Sequence, residues 1–155
     1  KDIKENENTQ PVLSYSSSKA TNEKQIKDSR KNYVILRLGS VYGYSNDTMR
    51  IDIMPNLFSK IASQNGTLKL FAGGRQIKSL VPLIDVARCF KFMEENDHIN
   101  SEIFNLTKDT LTVKEVANIC KKHNPKITTT KITKNIYNPI LFVFFIIIYK
   151  NIINY

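Results

Sequence analysis

The stretch YVILRL, residues 33–38, decides the fold class of this 155-residue chain. It is a short apolar run rich in β-forming residues, and it lacks the apolar–polar alternation of a half-exposed strand. Runs of this kind are typical of central strands that are buried on both faces of a parallel sheet. We therefore predict a buried strand here and interpret its neighbours along the chain from it.

Helical and extended patterns alternate on both sides of this strand. A polar helix is predicted before it, from Ser17 to about Asp28, and the loop GSVYGYSNDT (39–48) follows it. The later segments that carry a helix or strand pattern are MPNLFSKIASQNG (54–66), LKLFA (68–72), SLVPLIDVARCFKFMEE (79–95), SEIFNL (101–106) and TVKEVANICKK (112–122). Helices that alternate with short strands predict an α/β fold.

The basic charge of the chain does not indicate a nucleic-acid partner. The formal net charge is +9, but 18 of the 23 basic residues are lysines, scattered along the sequence. A nucleic-acid interface usually shows arginines on a stripe, or aromatic residues interleaved with basic ones. We predict no nucleic-acid binding.

The two cysteines, Cys89 and Cys120, indicate neither a metal site nor a disulfide framework. They form no C-x-x-C motif. The opening KDIKENENTQ is polar and charged, unlike a signal peptide, so we expect a reducing cytoplasmic location.

The segment 126–155 has an atypical composition. Its uncharged run from Ile140 to Tyr149 is too short to cross a bilayer, which takes roughly 20 residues. The run has neither a helical nor a strand period. We interpret this hydrophobic tail as translated non-coding or frame-shifted DNA; a membrane-touching or aggregation-prone tail is the alternative.

Tyr15 and Lys19 form the candidate catalytic pair. They are four residues apart at the predicted helix start, so they face the same side of the helix. An ammonium group beside a phenol favours the phenolate, which can take a proton from a substrate hydroxyl while a hydride leaves the same carbon. In a chain with 7 tyrosines and 18 lysines this spacing arises by chance about once. A solvated helix face is therefore the alternative.

Four segments in the right order give the pair its context, and together they resemble one family. They are PVLSYSSSKATNE (11–23), VILRLGSVYGYS (34–45), LKLFAGGRQIKSLVPLIDVARCF (68–90) and EIFNLTKDTLTVKEVANIC (102–120). They are similar to the C-terminal part of NAD-dependent epimerases and dehydratases, the extended short-chain dehydrogenases/reductases that act on nucleotide sugars.

The resemblance implies a role for each candidate site residue. Tyr15 would be the catalytic acid/base, and Lys19 would tune it and hold the nicotinamide ribose. Ser40 and Val41 would contact the cofactor, and Ser40 also the substrate. Lys78 stands where relatives usually carry an arginine on the nucleotide diphosphate; it keeps the charge but lacks the bidentate fork of arginine. The implied cofactor is NAD, with NADP open, and no metal is expected.

The resemblance also implies a domain organisation. Residues 1–44 would be a remnant of the NAD(P)-binding Rossmann half, 45–125 the substrate-binding part and 126–155 the tail. The glycine fingerprint G-x-x-G-x-x-G is not in the sequence, and Gly73-Gly74 reads as a turn. We therefore expect a C-terminal fragment that lacks the N-terminal dinucleotide-binding βαβ units, cut from a homodimeric parent.

Three functional interpretations stay open at this point. The first is a fragment of an NAD-dependent nucleotide-sugar epimerase or dehydratase, inactive on its own. The second is a catalytically dead gene remnant or a non-enzymatic interaction fragment. The third is an NADP-dependent ketone reductase of the same superfamily. In the free fragment we expect YVILRL to expose an apolar sheet edge, which favours aggregation or dimerisation.

Overall fold

The computed structural model describes residues 3–8, 10–11, 13–47 and 49–133, and the backbone of 144–149. Its helices are α1 (Ser14–Asp28), α2 (Met54–Ser63), α3 (Leu83–Glu95) and α4 (Val113–His123). Its strands are β1 (Tyr33–Leu38), β2 (Ser40–Tyr42), β3 (Thr67–Phe71), β4 (Ile77–Pro82), β5 (Glu102–Leu106), β6 (Asp109–Thr112), β7 (Thr128–Ile132) and β8 (Phe144–Tyr149). The predicted α/β class is confirmed.

The chain forms two compact units, and both are discontinuous in sequence. The first comprises Lys1–Gly39, Ile84–Thr107 and Phe142–Tyr155, and the second comprises Ser40–Leu83 and Lys108–Leu141. The division predicted from the sequence, 1–44, 45–125 and 126–155, follows chain order. The compact units do not, because α3 and β5 return to the unit that holds β1.

The first unit is built around β1. This strand pairs in parallel with β5, and residues 34–38 are all buried. The prediction of a buried central strand at YVILRL is thereby confirmed. The helix before it begins at Ser14, three residues earlier than predicted, so Tyr15 lies inside its first turn.

The other edge of β1 is also paired, which corrects two predictions from the sequence. β8 runs antiparallel to β1, with Tyr33 opposite Tyr149 and Leu38 opposite Phe144. The predicted exposed edge at YVILRL is therefore wrong, because β8 covers it. The tail, for which no regular structure was predicted, contains a strand; the remainder of its hydrophobic run, 140–143, lies outside the described residues.

The second unit holds two small sheets and its own core. β4 lies between β2, which is parallel to it, and β6, which is antiparallel; β3 pairs in parallel with β7. The core cluster gathers buried residues from α2, β3, β4, α4 and the segment before β7: Phe58, Ala62, Leu68, Leu70, Leu80, Val116, Ala117 and Ile127. This core supports β4, the strand that carries Lys78.

Helix α2 ends where the Asn-Gly signal predicts. Asn65 has a positive φ of 53°, and the N–H of Gly66 donates to the carbonyl of Ile61 at 2.9 Å. A Cβ at residue 66 would approach Cγ2 of Ile61 to 2.8 Å, closer than side chains pack. Glycine is therefore the residue that fits this helix end.

Helix α4 begins with the capping box that the sequence predicts. Oγ1 of Thr112 accepts from the backbone N–H of Glu115 at 3.2 Å, and the Glu115 carboxylate accepts from the Thr112 N–H at 2.6 Å. Hydrogen bonds from Thr112 lower the pKa of Glu115. Both contacts satisfy backbone N–H groups that a helix start leaves unpaired.

We expect Thr112→Ala to lower the free energy of unfolding by about 0.5–2 kcal/mol, because it removes this cap. Thr112→Ser is the matched control, since it keeps the accepting hydroxyl. Chemical denaturation of the two variants measures the effect. An equal loss for serine and alanine would show that the hydroxyl contributes nothing.

Candidate active site

One row of α1 joins the candidate catalytic pair to the body of the first unit. Tyr15, Lys19 and Glu23 follow one another at intervals of four residues, so they lie along one side of the helix. The Lys19 ammonium nitrogen lies 5.4 Å from the centre of the Tyr15 ring, within cation–π range. Tyr15 is 40% exposed.

The third member of this row, Glu23, anchors α1 on β1. Its carboxylate accepts from Nε and Nη2 of Arg37 at 3.0 and 2.7 Å and from Nζ of Lys27 at 2.9 Å. Glu23 and Arg37 are both buried. Burial by itself raises the pKa of Glu23, but the hydrogen bonds from Arg37 and Lys27 outweigh it, and the pKa lies below its usual 4.5.

A short N-terminal segment lies across the ends of β1 and β5. Nη1 of Arg37 donates to the carbonyl of Glu5 at 2.9 Å, and the Glu5 carboxylate accepts from the Asn105 N–H at 2.9 Å. The Asn105 amide donates to the carbonyl of Ile3 at 3.0 Å. Arg37 and Asn105 are partners in the β1–β5 register. The two strands are therefore held together by the segment as well as by their ladder.

These contacts locate Tyr15 relative to β1. α1 and β1 are joined by residues 29–32, so the strand runs back along the helix. Tyr15 precedes Glu23 by eight residues, a rise of about 12 Å, whereas β1 extends only one residue beyond Arg37. The phenol therefore lies past the carboxyl end of β1. In open α/β sheets, ligands bind at the carboxyl ends of the strands.

The other candidate site residues belong to the second unit. Ser40 and Val41 lie in β2, not in the loop that the sequence predicted. Ser40 is opposite Leu80, and Lys78 precedes Leu80 by two residues, so Ser40 and Lys78 share a face of this sheet. From strand spacing and rise they are about 8 Å apart. Lys78 is partly buried, opposite Leu111 of β6.

The loop after β2 is fixed by a residue that the sequence analysis did not single out. Asn56 is 6% exposed; its Oδ1 accepts from the Gly43 N–H at 3.0 Å and its Nδ2 donates to the carbonyl of Arg50 at 3.0 Å. Asn56 thus holds both ends of the loop on α2. The sequence signal for this role was a polar residue, Asn56, directly after Pro55 in the first turn of the helix.

Glu23 and Arg37 were also missed as supports of the site. Both gave a signal in the sequence: Arg37 is a charge inside an otherwise apolar strand, and Glu23 falls four residues after Lys19. A buried charge is stable only when it is paired. A partner for Arg37 could therefore have been sought on the neighbouring helix.

The candidate residues fit one end of a dinucleotide cofactor. The Tyr15 hydroxyl and the Lys19 ammonium are donors on one helix row, suited to ribose hydroxyls. A pyrophosphate is usually held by the backbone N–H groups of a glycine-rich loop at a helix start. The glycines of the chain have no such spacing; they are Gly39, Gly43, Gly66, Gly73 and Gly74.

The described residues offer neither a metal-binding cluster nor a helix that could span a membrane. In that part of the chain, no group of three or more His, Cys, Asp or Glu residues is arranged to hold a metal ion. Nor does a helix within the described ranges have the length and apolarity needed to cross a membrane.

Solved structures with the same fold include two UDP-sugar epimerases and a protein named Pal. UDP-glucuronic acid 4-epimerase from Bacillus cereus, solved with UDP-glucuronic acid and NAD, is 22% identical with a TM-score of 0.70; the match covers 84% of this chain and 43% of that one. UDP-glucose 4-epimerase from Thermotoga maritima, solved with UDP-glucose, is 20% identical with a TM-score of 0.68, covering 81% and 43%. Pal from Bacillus thuringiensis is 18% identical with a TM-score of 0.71, covering 86% and 44%.

The chain thus spans less than half the length of these solved proteins. The comparison with curated proteins finds no match. The model of the NAD dependent epimerase/dehydratase family matches residues 1–107, which include the Tyr15–Lys19 helix, β1, Lys78 and β5. On that match, over more than half of its length, the chain belongs to the NAD-dependent epimerase/dehydratase family.

Proposed function

We propose that the chain is the substrate-side part of an NAD-dependent nucleotide-sugar epimerase or dehydratase. In this role Tyr15 and Lys19 supply the acid/base pair, and Lys78 contacts the nucleotide diphosphate. The observation that carries the proposal is the row Tyr15–Lys19–Glu23, tied to β1 and continued past its carboxyl end. That arrangement supports a functional interpretation of the Tyr-x-x-x-Lys spacing over a chance match.

Each residue has a distinct task in this proposal. The Tyr15 oxygen takes the proton of a sugar hydroxyl, and the Lys19 ammonium, on the same helix row, holds the nicotinamide ribose. The bound cofactor, NAD, supplies the hydride acceptor at the same sugar carbon. Ser40, on one sheet face with Lys78, donates or accepts a hydrogen bond with the sugar or the nicotinamide end.

Lys78 determines the ligand class in this proposal. A lysine presents a compact positive charge, which suits a phosphate without demanding a bidentate geometry. The solved relatives that bind UDP-glucuronic acid and UDP-glucose suggest a uridine diphosphate sugar. We therefore take UDP-glucose as the probe.

We expect ¹H–¹⁵N NMR titration of the purified chain with UDP-glucose to show saturable shifts in the second unit. Lys78→Ala should raise the dissociation constant roughly 10- to 150-fold, because it removes a contact with a charged group. Lys69→Ala is the matched control: Lys69 is an exposed lysine on β3 of the same unit, and its loss should change affinity less than twofold. A chain that does not bind UDP-glucose at all would contradict the proposal.

We also expect no NAD-dependent turnover of UDP-glucose by the purified 155-residue chain. The sequence lacks a glycine-rich loop for the pyrophosphate, so the cofactor would be held at its ribose end alone. A coupled spectrophotometric assay for UDP-galactose measures this. Turnover above the no-enzyme rate would mean that these residues suffice for cofactor binding.

A further inference from the structure

The two edges of β1 have different kinds of neighbour. β5 lies on one edge in the parallel sense, and β8 lies on the other in the antiparallel sense. β5 is joined to β1 through intervening elements, whereas β8 comes from the hydrophobic tail, after every other element. β8 is therefore the strand that could leave this sheet without disturbing the order of the others.

The backbone contacts of β1 show which of its amides face β8. The carbonyl of Tyr33 accepts from the Ser101 N–H at 2.8 Å, and the N–H that follows the strand, on Gly39, donates to the Leu106 carbonyl at 3.0 Å. Hydrogen-bonding groups alternate sides along a strand. Odd-numbered residues of β1 therefore face β5, and the even-numbered ones, Val34, Leu36 and Leu38, face β8.

β1 has the character of an interior strand of a longer parallel sheet. Its residues 34–38 are buried, as in sheets covered on both faces. In the doubly wound order 3-2-1-4-5-6, strands 5 and 6, the last two in the chain, are parallel neighbours. Strand 4, which precedes them in the chain, pairs with the other edge of strand 5. β1 and β5 match that last pair, so the edge that β8 holds is the edge of the preceding parallel strand.

We propose that β8 is a placeholder strand, which occupies the β1 edge and must leave before a parallel strand of a dinucleotide-binding half can pair there. The pairing of β8 with this edge of β1 is given by the strand register and does not depend on the proposed function. The identity of the competing partner, a βαβ dinucleotide-binding half, rests on the proposed function. Val34, Leu36 and Leu38 would then exchange one set of backbone partners for the other.

The β8 register provides a sharp pair of variants. Leu36 is opposite Ile146 and faces β8, so these two residues form a hydrogen-bonded pair. Ile146→Pro removes the N–H that bonds to Leu36. The N–H of Ile147 points away from β1, to the outer edge, where proline is tolerated. Ile147→Pro is therefore the matched control.

Residue-resolved amide hydrogen exchange tests the occupancy. In the full chain we expect the Leu36 amide to be protected. In Ile146→Pro and in a chain ending at residue 139, it should exchange at least 100-fold faster, while Ile35 and Arg37, which face β5, keep their protection. Ile147→Pro should match the full chain. Equal exchange rates of the Leu36 amide in all four proteins would overturn the proposal that β8 is a placeholder strand. If the shortened chain unfolds, the Ile35 and Arg37 amides will also lose protection. In that case the comparison of Ile146→Pro with Ile147→Pro tests the proposal.

Co-expression tests the partner. The probe is the part of Bacillus cereus UDP-glucuronic acid 4-epimerase outside its matched 43%, carrying an affinity tag. We expect it to retain the 139-residue chain at least tenfold better than the full chain. Equal retention of both would overturn the competition, and retention of neither would overturn the partner. The UDP-glucose titration is independent of both results. A failure of the placeholder-strand proposal can therefore be distinguished from a failure of the proposed function.

Discussion

Glu23→Ala should lower the free energy of unfolding by about 3–5 kcal/mol. The substitution removes the carboxylate that receives two nitrogens of Arg37, and the guanidinium stays buried between α1 and β1. A buried charge without its partner keeps the cost of desolvation and loses the attraction that offset it. Urea denaturation followed by circular dichroism measures the change.

Two further variants separate the buried pair from charge in general. Arg88→Ala removes an arginine that is 74% exposed and paired with Asp85, and it should cost less than about 1 kcal/mol. The double change Glu23→Leu with Arg37→Met replaces the pair with apolar side chains and should recover most of the loss. A Glu23→Ala cost no larger than that of Arg88→Ala would refute the anchoring role.

The same pair gives a pH dependence of known sign. The folded-state pKa of Glu23 lies below 4.5, despite burial, because Arg37 and Lys27 donate to its carboxylate. Its stabilising contribution is therefore complete above about pH 4.5 and is lost as the pH falls through the lower folded-state pKa. The difference in unfolding free energy between the wild type and Glu23→Gln should be constant above about pH 4.5 and shrink as the pH falls below it. A constant difference would contradict this assignment.

Leu68→Ala should destabilise the second unit by about 2–5 kcal/mol. Leu68 is 0% exposed and lies in the cluster with Phe58, Ala62 and Val116. Truncation removes buried apolar surface and leaves a cavity that α2 and α4 can only partly fill. Because the cluster also contains Leu80 of β4, this core supports the strand that presents Lys78.

Leu57→Ala is the control for the core variant. Leu57 belongs to α2 in the same unit but is 37% exposed, so its truncation should cost clearly less. Amide exchange of residues in β3 and β4 reports the local free energy of opening for both variants. Equal costs for Leu57 and Leu68 would mean that the buried cluster does not limit the stability of this unit.

The helices and the buried strand could be predicted because their signals are local. α2 is bounded by Pro55 and by Asn65-Gly66, and α4 by the Thr112–Glu115 capping box. The strand at YVILRL is apolar enough to be buried in any arrangement. For the candidate site, the Tyr15–Lys19 spacing and the order of the four family-like segments could also be recognised from the sequence.

Three of the strands that were missed, β2, β6 and β7, have weak local signals. β2, β6 and β7 are three to five residues long and contain serine, threonine and aspartate. β7, TTTKI, is largely exposed and pairs with β3, sixty-one residues earlier in sequence. Such strands exist because a partner from a distant part of the chain supplies their hydrogen bonds.

By itself, the sequence determined the α/β class, the buried strand β1 and the spacing of Tyr15 and Lys19, since these depend on patterns within a few residues. Only the tertiary structure decided that Glu23 pairs with Arg37, that Asn56 fixes the loop after β2, and that β8 covers β1. The physical reason is the same in all three cases. A buried charge, a buried amide or an open strand edge requires a partner, and its own neighbours along the chain do not specify which distant residue provides it.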